Sequence, residues 1–134
     1  MNRPAVQQDF SRNRIYQYEF TETRLWQRSR HLMSWVYIIL QQINADADKI
    51  LKDHIFHTAL ELPSVVAESY SKSLPPDIIR KLHQARHDTF RLENLFYLSY
   101  DLQLIGKEEL EGLLAKTEEI KELINARTRQ FKKK

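Results

Sequence analysis

Two histidine pairs are the first residues in this sequence whose spacing could carry chemistry. His83 and His87 lie four apart, and His54 and His57 three apart. Either separation puts both imidazoles on one helix face, within reach of a single metal ion. Asp88 is adjacent to His87 and could join them only if the helix distorted. No Glu follows His83, so the zinc-protease arrangement is absent. Histidines are also common on helix surfaces, and the expectation is no metal site. The chain has no cysteine, which removes disulfides, thiol nucleophiles and thiolate zinc sites together. Two glycines provide neither a Gly-flanked serine elbow nor a phosphate-cradling loop. The expectation is a protein that is not an enzyme and carries no cofactor.

Carboxylates are plentiful, but nearly all stand beside Lys or Arg on helix faces. Glu68 and Glu93 instead adjoin apolar stripes, where an unpaired charge is costly. Arg86 precedes Glu93 by seven residues and shares its helix face. These three residues predict a buried or half-buried structural ion-pair network of Glu68, Arg86 and Glu93.

Basic residues interleaved with aromatics carry the strongest functional signal. Arg12, Arg14, Tyr16 and Tyr18 precede the first helix; Arg24, Arg28, Arg30 and His31 open it. Arg127, Arg129, Lys132, Lys133 and Lys134 close the last. Six acidic and two basic residues occupy 108–126, whereas 127–134 holds five basic residues and no acidic one. If the first helix begins where the fourth ends, the clusters merge into one positive patch. Such a patch binds phosphate backbones without reading sequence, and aromatics beside it can stack on unpaired bases. The expected nucleic-acid contacts are Arg24, Arg28, Arg30, Arg127, Arg129 and Lys132 to Lys134. No sequence-reading helix or RNA-binding signature accompanies them.

Helices must position these groups. The chain of 134 residues suits one domain, and its scarce Gly and Pro disfavour a sheet protein. Residues 1–20 show no helical period and read as a flexible N-terminal arm. Residues 21–131 read as a four-helix bundle, with helices at about 21–43, 46–71, 76–105 and 107–131, followed by a basic tail at 132–134. Leu25, Ser29, Leu32, Val36, Ile39 and Ile43 alternate steps of four and three, the stripe of a bundle helix. Thr21 is the expected cap of that helix. Pro63 falls inside the second helix and predicts a kink or a break there. Pro75-Pro76-Asp77 opens the third, and Gly106 is its expected stop. Short connections make an antiparallel up-down-up-down all-α bundle the simplest architecture.

Two helices carry more apolar surface than one bundle core needs. Trp35 to Leu40 is apolar on every side, and the stretch from Leu95 to Ile105 is nearly so. Surplus of this kind predicts self-association, with Trp35, Ile38, Tyr97 and Tyr100 at the interface. The longest apolar run, Trp35 to Leu40, has six residues, whereas a membrane span needs about 20. No signal-peptide stretch follows Met1, so the expected location is cytoplasmic.

Leu25-Trp26-Gln27 resembles the Val-Trp-Gln opening of a bacterial four-helix-bundle family encoded in intervening sequences of large-subunit ribosomal RNA genes. The segment from Leu62 to Tyr70 is similar to that family's Ile-Pro-x-Asn-Ile-Ala-Glu-Gly-Tyr. Leu82 to Asp88 resembles its Ile-Ala-Arg-Gly-Ser stretch, and Leu92-Glu93 its following Leu-Glu. Ser69 and His87 stand where the family has glycines, and Val65 where it has Asn. The resemblance covers about Phe20 to Ile124. Arg91-Leu92 followed by Leu102 to Gly106 also resembles a sister group, the accessory variability determinants of diversity-generating retroelements. Those proteins partner a reverse transcriptase and bind nucleic acid. Both resemblances imply a ring-like homopentamer with basic surface. They leave two functional expectations: a nonenzymatic scaffold that binds nucleic acid, as RNA or an RNA–protein complex, or a retroelement accessory protein that binds its reverse transcriptase and template RNA or cDNA.

Overall fold

The computed structural model describes residues 19–43 and 48–132. Within them a short 3-10 turn, Phe20–Glu22, leads into four helices: α1 (Arg24–Gln41), α2 (Lys49–Ser69), α3 (Pro75–Asp101) and α4 (Lys107–Lys132). No strand occurs among the described residues. The arm expected at residues 1–20 lies outside them up to position 18, as do 44–47 and the last two lysines.

Thr23, not Thr21, caps α1. Its backbone is extended, so its hydroxyl oxygen accepts from the Trp26 N–H at 3.3 Å while the hydroxyl donates to the Phe20 carbonyl at 2.7 Å. That satisfies one of the donors a helix start leaves open. Thr21 sits within the preceding turn and donates to the Glu19 carboxylate.

Leu25, Ser29, Leu32, Val36 and Leu40 form the buried stripe of α1. Leu62 and Val66 from α2, Ile78, Leu82 and Leu92 from α3, and Ile120 from α4 meet it with no exposed surface. Polar residues at stripe positions bond within their own helix: Ser29 to the Leu25 carbonyl at 2.9 Å, Ser99 to Leu95 at 2.8 Å. Their burial therefore leaves no hydroxyl unpaired.

Helix α2 runs through Pro63 without a break. The missing N–H deprives the Ala59 carbonyl of its helical partner, but packing on both sides retains the helix. Pro75 rather than Pro76 is the first residue of α3, preceded by extended Leu74, as sterics before a proline require.

The stop of α3 also differs from expectation. Gln103 has φ 65°; its N–H bonds the Tyr100 carbonyl at 2.9 Å, and Leu104 N–H bonds Ser99 at 2.9 Å. This is a Schellman closure, with Gln103 in the left-handed position that glycine usually fills. Gly106 instead immediately precedes α4. Its N–H donates to Glu109 Oε1 at 2.9 Å and its carbonyl accepts from Leu110, half of a capping box.

Each helix packs on two neighbours: α1 on α2, α2 on α3, α3 on α4, and α4 back on α1. Among the described residues no helix is long and apolar enough to cross a membrane.

Candidate nucleic-acid interface

The return of α4 onto α1 brings the two basic clusters to one end. Glu19 and Glu22 before α1, Arg24 from α1, Tyr70 beyond α2, and Leu123 and Arg127 from α4 line a common groove. Along α1 and α4 the residue numbers run in opposite senses: Arg28 faces Glu119, and Trp35 faces Gly112.

The cations at this end have distinct environments. Arg24 Nη2 and Arg28 Nε donate to the same oxygen of Glu119, at 3.2 and 2.9 Å. Arg28's hydrogen bond, opposed by slight burial and reinforced by the charges of both arginines, holds the Glu119 carboxyl below its usual range. Two guanidinium groups thus share one carboxylate, leaving net positive charge. Arg30 is exposed and lies 5.1 Å from the Trp26 ring centroid. Arg129 and Lys132 are exposed on the last turns of α4.

Arg127 does not belong with them. It is 7% exposed. Its guanidinium lies 3.8 Å from the Tyr70 ring centroid and 5.1 Å from that of Phe131, and Nη2 donates to the Ser69 carbonyl at 3.5 Å. Burial between two rings withdraws it from contact with phosphate and makes it a clamp joining α4 to the end of α2. Lys133 and Lys134 lie outside the described residues, as do Arg12, Arg14, Tyr16 and Tyr18.

Lys116 is the contributor that sequence reasoning missed. Its ammonium sits 4.1 Å from the Trp35 ring centroid, and with Arg28, His31 and Glu119 it lines a polar pocket between α1 and α4. Gly112 makes room for that indole: a Cβ there would stand 3.0 Å from the ring. The signal was present as matching three- and four-residue steps, Arg28-His31-Trp35 on α1 and Gly112-Lys116-Glu119 on α4. It became readable only when the helices were paired.

The expected network of Glu68, Arg86 and Glu93 does not form. Glu68 pairs with Lys81 at 2.7 Å on the surface. Glu93 accepts from Lys121 at 3.1 Å and from the Thr117 hydroxyl at 2.6 Å. Arg86 lies over the Phe90 ring at 5.1 Å, its Nε without a partner. Position seven on one helix is two turns away, so α4 supplies the nearer cation for Glu93. Burial opposes the charge on Lys121, but its hydrogen bond to Glu93 and the charges of Glu93 and Glu118 outweigh that and raise its pKa.

The proposed contact residues Trp35, Ile38, Tyr97 and Tyr100 are 37 to 57% exposed in the single chain. His54, His57, His83 and His87 all face solvent. Among the described residues no group of three or more His, Asp or Glu is placed to hold a metal.

A family described as 23S rRNA-intervening sequence protein has a sequence model that matches residues 21–126. No match was found among curated proteins.

Proposed function

The chain belongs to the 23S rRNA-intervening sequence protein family, and on that premise we propose that it is a nonenzymatic, oligomeric scaffold that binds nucleic acid, as RNA or an RNA–protein complex, through basic surface. The observation that carries this reading is the sharing of Glu119 by Arg24 and Arg28, with exposed Arg30 further along α1 and exposed Arg129 and Lys132 on the last turns of α4. Glu19 and Glu22 line the same groove, but Arg30, Arg129 and Lys132 remain exposed cations outside the ion pairs of this end. Backbone phosphates are the partner that such an excess fits, because each contact releases condensed counterions.

The subunit in this reading is an antiparallel up-down-up-down bundle within a ring-like homopentamer in the cytoplasm. The order of helix contacts supports the topology, and the exposed side chains of Trp35, Ile38, Tyr97 and Tyr100 support assembly. Purification of the untagged protein at low salt, with sequencing of retained RNA and identification of retained protein, tests the proposal. Retained RNA that is released as salt rises supports it; a preparation free of nucleic acid at low ionic strength opposes it. A co-purifying reverse transcriptase would favour the retroelement accessory role instead.

A further inference from the structure

Arg28 and His31 on α1 and Lys116 and Glu119 on α4 line an open pocket of about 140 Å³. A single water occupies roughly 10–15 Å³ of such space, so a phosphate group fits. Three of the four side chains can donate N–H bonds to an anion: two permanent cations and an imidazole. The fourth, Glu119, is already shared by Arg24 and Arg28. Arg28 uses Nε for that contact, which leaves its terminal N–H groups for a second acceptor. The Arg28 and Glu119 side chains are 42 and 36% exposed, so the pocket opens to solvent.

Lys116 has no carboxylate partner among the described residues; its ammonium lies 4.1 Å from the Trp35 ring centroid. The negative face of the indole holds that cation in place without cancelling its charge. Gly112 is what lets the ring lie there, since a Cβ would stand 3.0 Å from Cζ3 and 3.3 Å from Cη2. A glycine inside a helix weakens it; the room it leaves for Trp35 accounts for its place in α4. None of the four lining residues is among those assigned to assembly, Trp35, Ile38, Tyr97 and Tyr100.

We propose that this pocket is a phosphate subsite, in which one phosphate group of a bound RNA strand enters between α1 and α4 and accepts from Arg28, His31 and Lys116. The inference rests on the nucleic-acid reading above and adds to it the group recognised, the place where it sits and the part of Lys116. Glu119 repels the incoming anion, but Arg24, Arg28 and Lys116 surround that single carboxylate with three positive charges. Until a strand arrives, Glu119 holds the two arginines where the phosphate will meet them.

Inorganic phosphate titrated into the untagged full chain, with chloride adjusted to constant ionic strength, probes the pocket without RNA. NMR signals of His31 and of the amides of 112–119 should shift together and saturate, while those of His54 on α2 and His83 on α3, both exposed, should not. Lys116→Gln should weaken phosphate binding about fivefold and lower the log–log salt slope of RNA binding by about 0.7. Lys116→Arg should restore both, and an unchanged urea midpoint in the two variants separates loss of a contact from loss of structure. RNA of one length with a 5′-phosphate or a 5′-hydroxyl identifies the source of the group. A preference for the phosphorylated end that Lys116→Gln abolishes assigns the pocket to strand ends; equal affinities with the same loss in both assign it to backbone diesters. Phosphate that does not saturate at His31, or binds Lys116→Gln as well as the parent, overturns the subsite, and salt-dependent RNA binding by that parent would leave the basic surface standing without it. A parent that takes phosphate here but binds no RNA at low ionic strength overturns the nucleic-acid reading and, with it, the strand as occupant.

Discussion

The guanidinium of Arg127 lies 3.8 Å from the ring centroid of Tyr70, and this contact sets Arg127 apart as a structural residue from Arg129 and Lys132, the other described members of the basic C-terminal cluster, which are exposed. Arg127 faces inward and joins α4 to the end of α2. Replacement by Ala is expected to destabilise the fold by about 2–4 kcal/mol, since it removes a buried stacked cation and its hydrogen bond. Affinity for nucleic acid should not change once the variant is folded. Chemical denaturation together with RNA titration checks this; full stability with lost RNA binding would reverse the assignment.

Gln103 holds a left-handed backbone, φ 65°, to complete the closure of α3. A side chain there is strained by about 1 kcal/mol relative to glycine. Gln103→Gly is therefore expected to stabilise the protein by about 0.5–1 kcal/mol, after allowing for the added freedom of the unfolded chain. A shift of the urea midpoint to higher concentration at unchanged slope is the result to look for.

Glu93, Thr117 and Lys121 form a half-buried set between α3 and α4, with the Lys121 and Glu93 side chains each 15% exposed. Glu93→Ala leaves the lysine short of its strongest partner and should cost about 1–3 kcal/mol. The raised pKa of Lys121 fixes the sign of its pH dependence. Its contribution is fully present below the ordinary lysine range and is lost as pH rises through the folded pKa above it. Unfolding measured from pH 9 to 11 should therefore show a loss of stability that Glu93→Ala diminishes.

Ile38 and Tyr97 stand 57 and 51% exposed on α1 and α3. If these surfaces meet in an assembly, Ile38→Glu and Tyr97→Glu place a charge in an apolar contact and should lower the mass in solution without loss of helix content. Light scattering with far-UV circular dichroism separates these outcomes. An unaltered mass in both variants would remove these residues from the interface.

The helices were legible because apolar residues recur at steps of three and four, and because Pro75 and Gly106 punctuate them. Their ends were less so. Thr21 and Thr23 are equally good caps by type, and only the extended backbone at Thr23 decides between them. Gly106 drew the stop of α3 toward itself because glycine is the usual left-handed residue, whereas Gln103 takes that role at the expense of strain. For the interface, sequence located the cations but not their neighbours. Arg127 and Arg129 differ by two positions, which on a helix turns one inward and leaves the other in water. The pairs Glu93 with Lys121 and Glu68 with Lys81 cross between helices, and no spacing within one helix encodes them.

Basic surface that binds phosphate must show itself in the salt dependence of affinity. The decisive measurement is titration of a labelled single-stranded RNA with the untagged full chain from 50 to 300 mM salt, beside Glu119→Gln. Engagement of three or four cations per site would give a log–log slope of about −2 to −3, at ~0.7 per phosphate on a single strand. Glu119→Gln releases Arg24 and Arg28 and should bind several-fold tighter, with a steeper slope. A flat salt dependence, or weaker binding by Glu119→Gln than by the parent, would contradict a nucleic-acid interface at this end of the bundle.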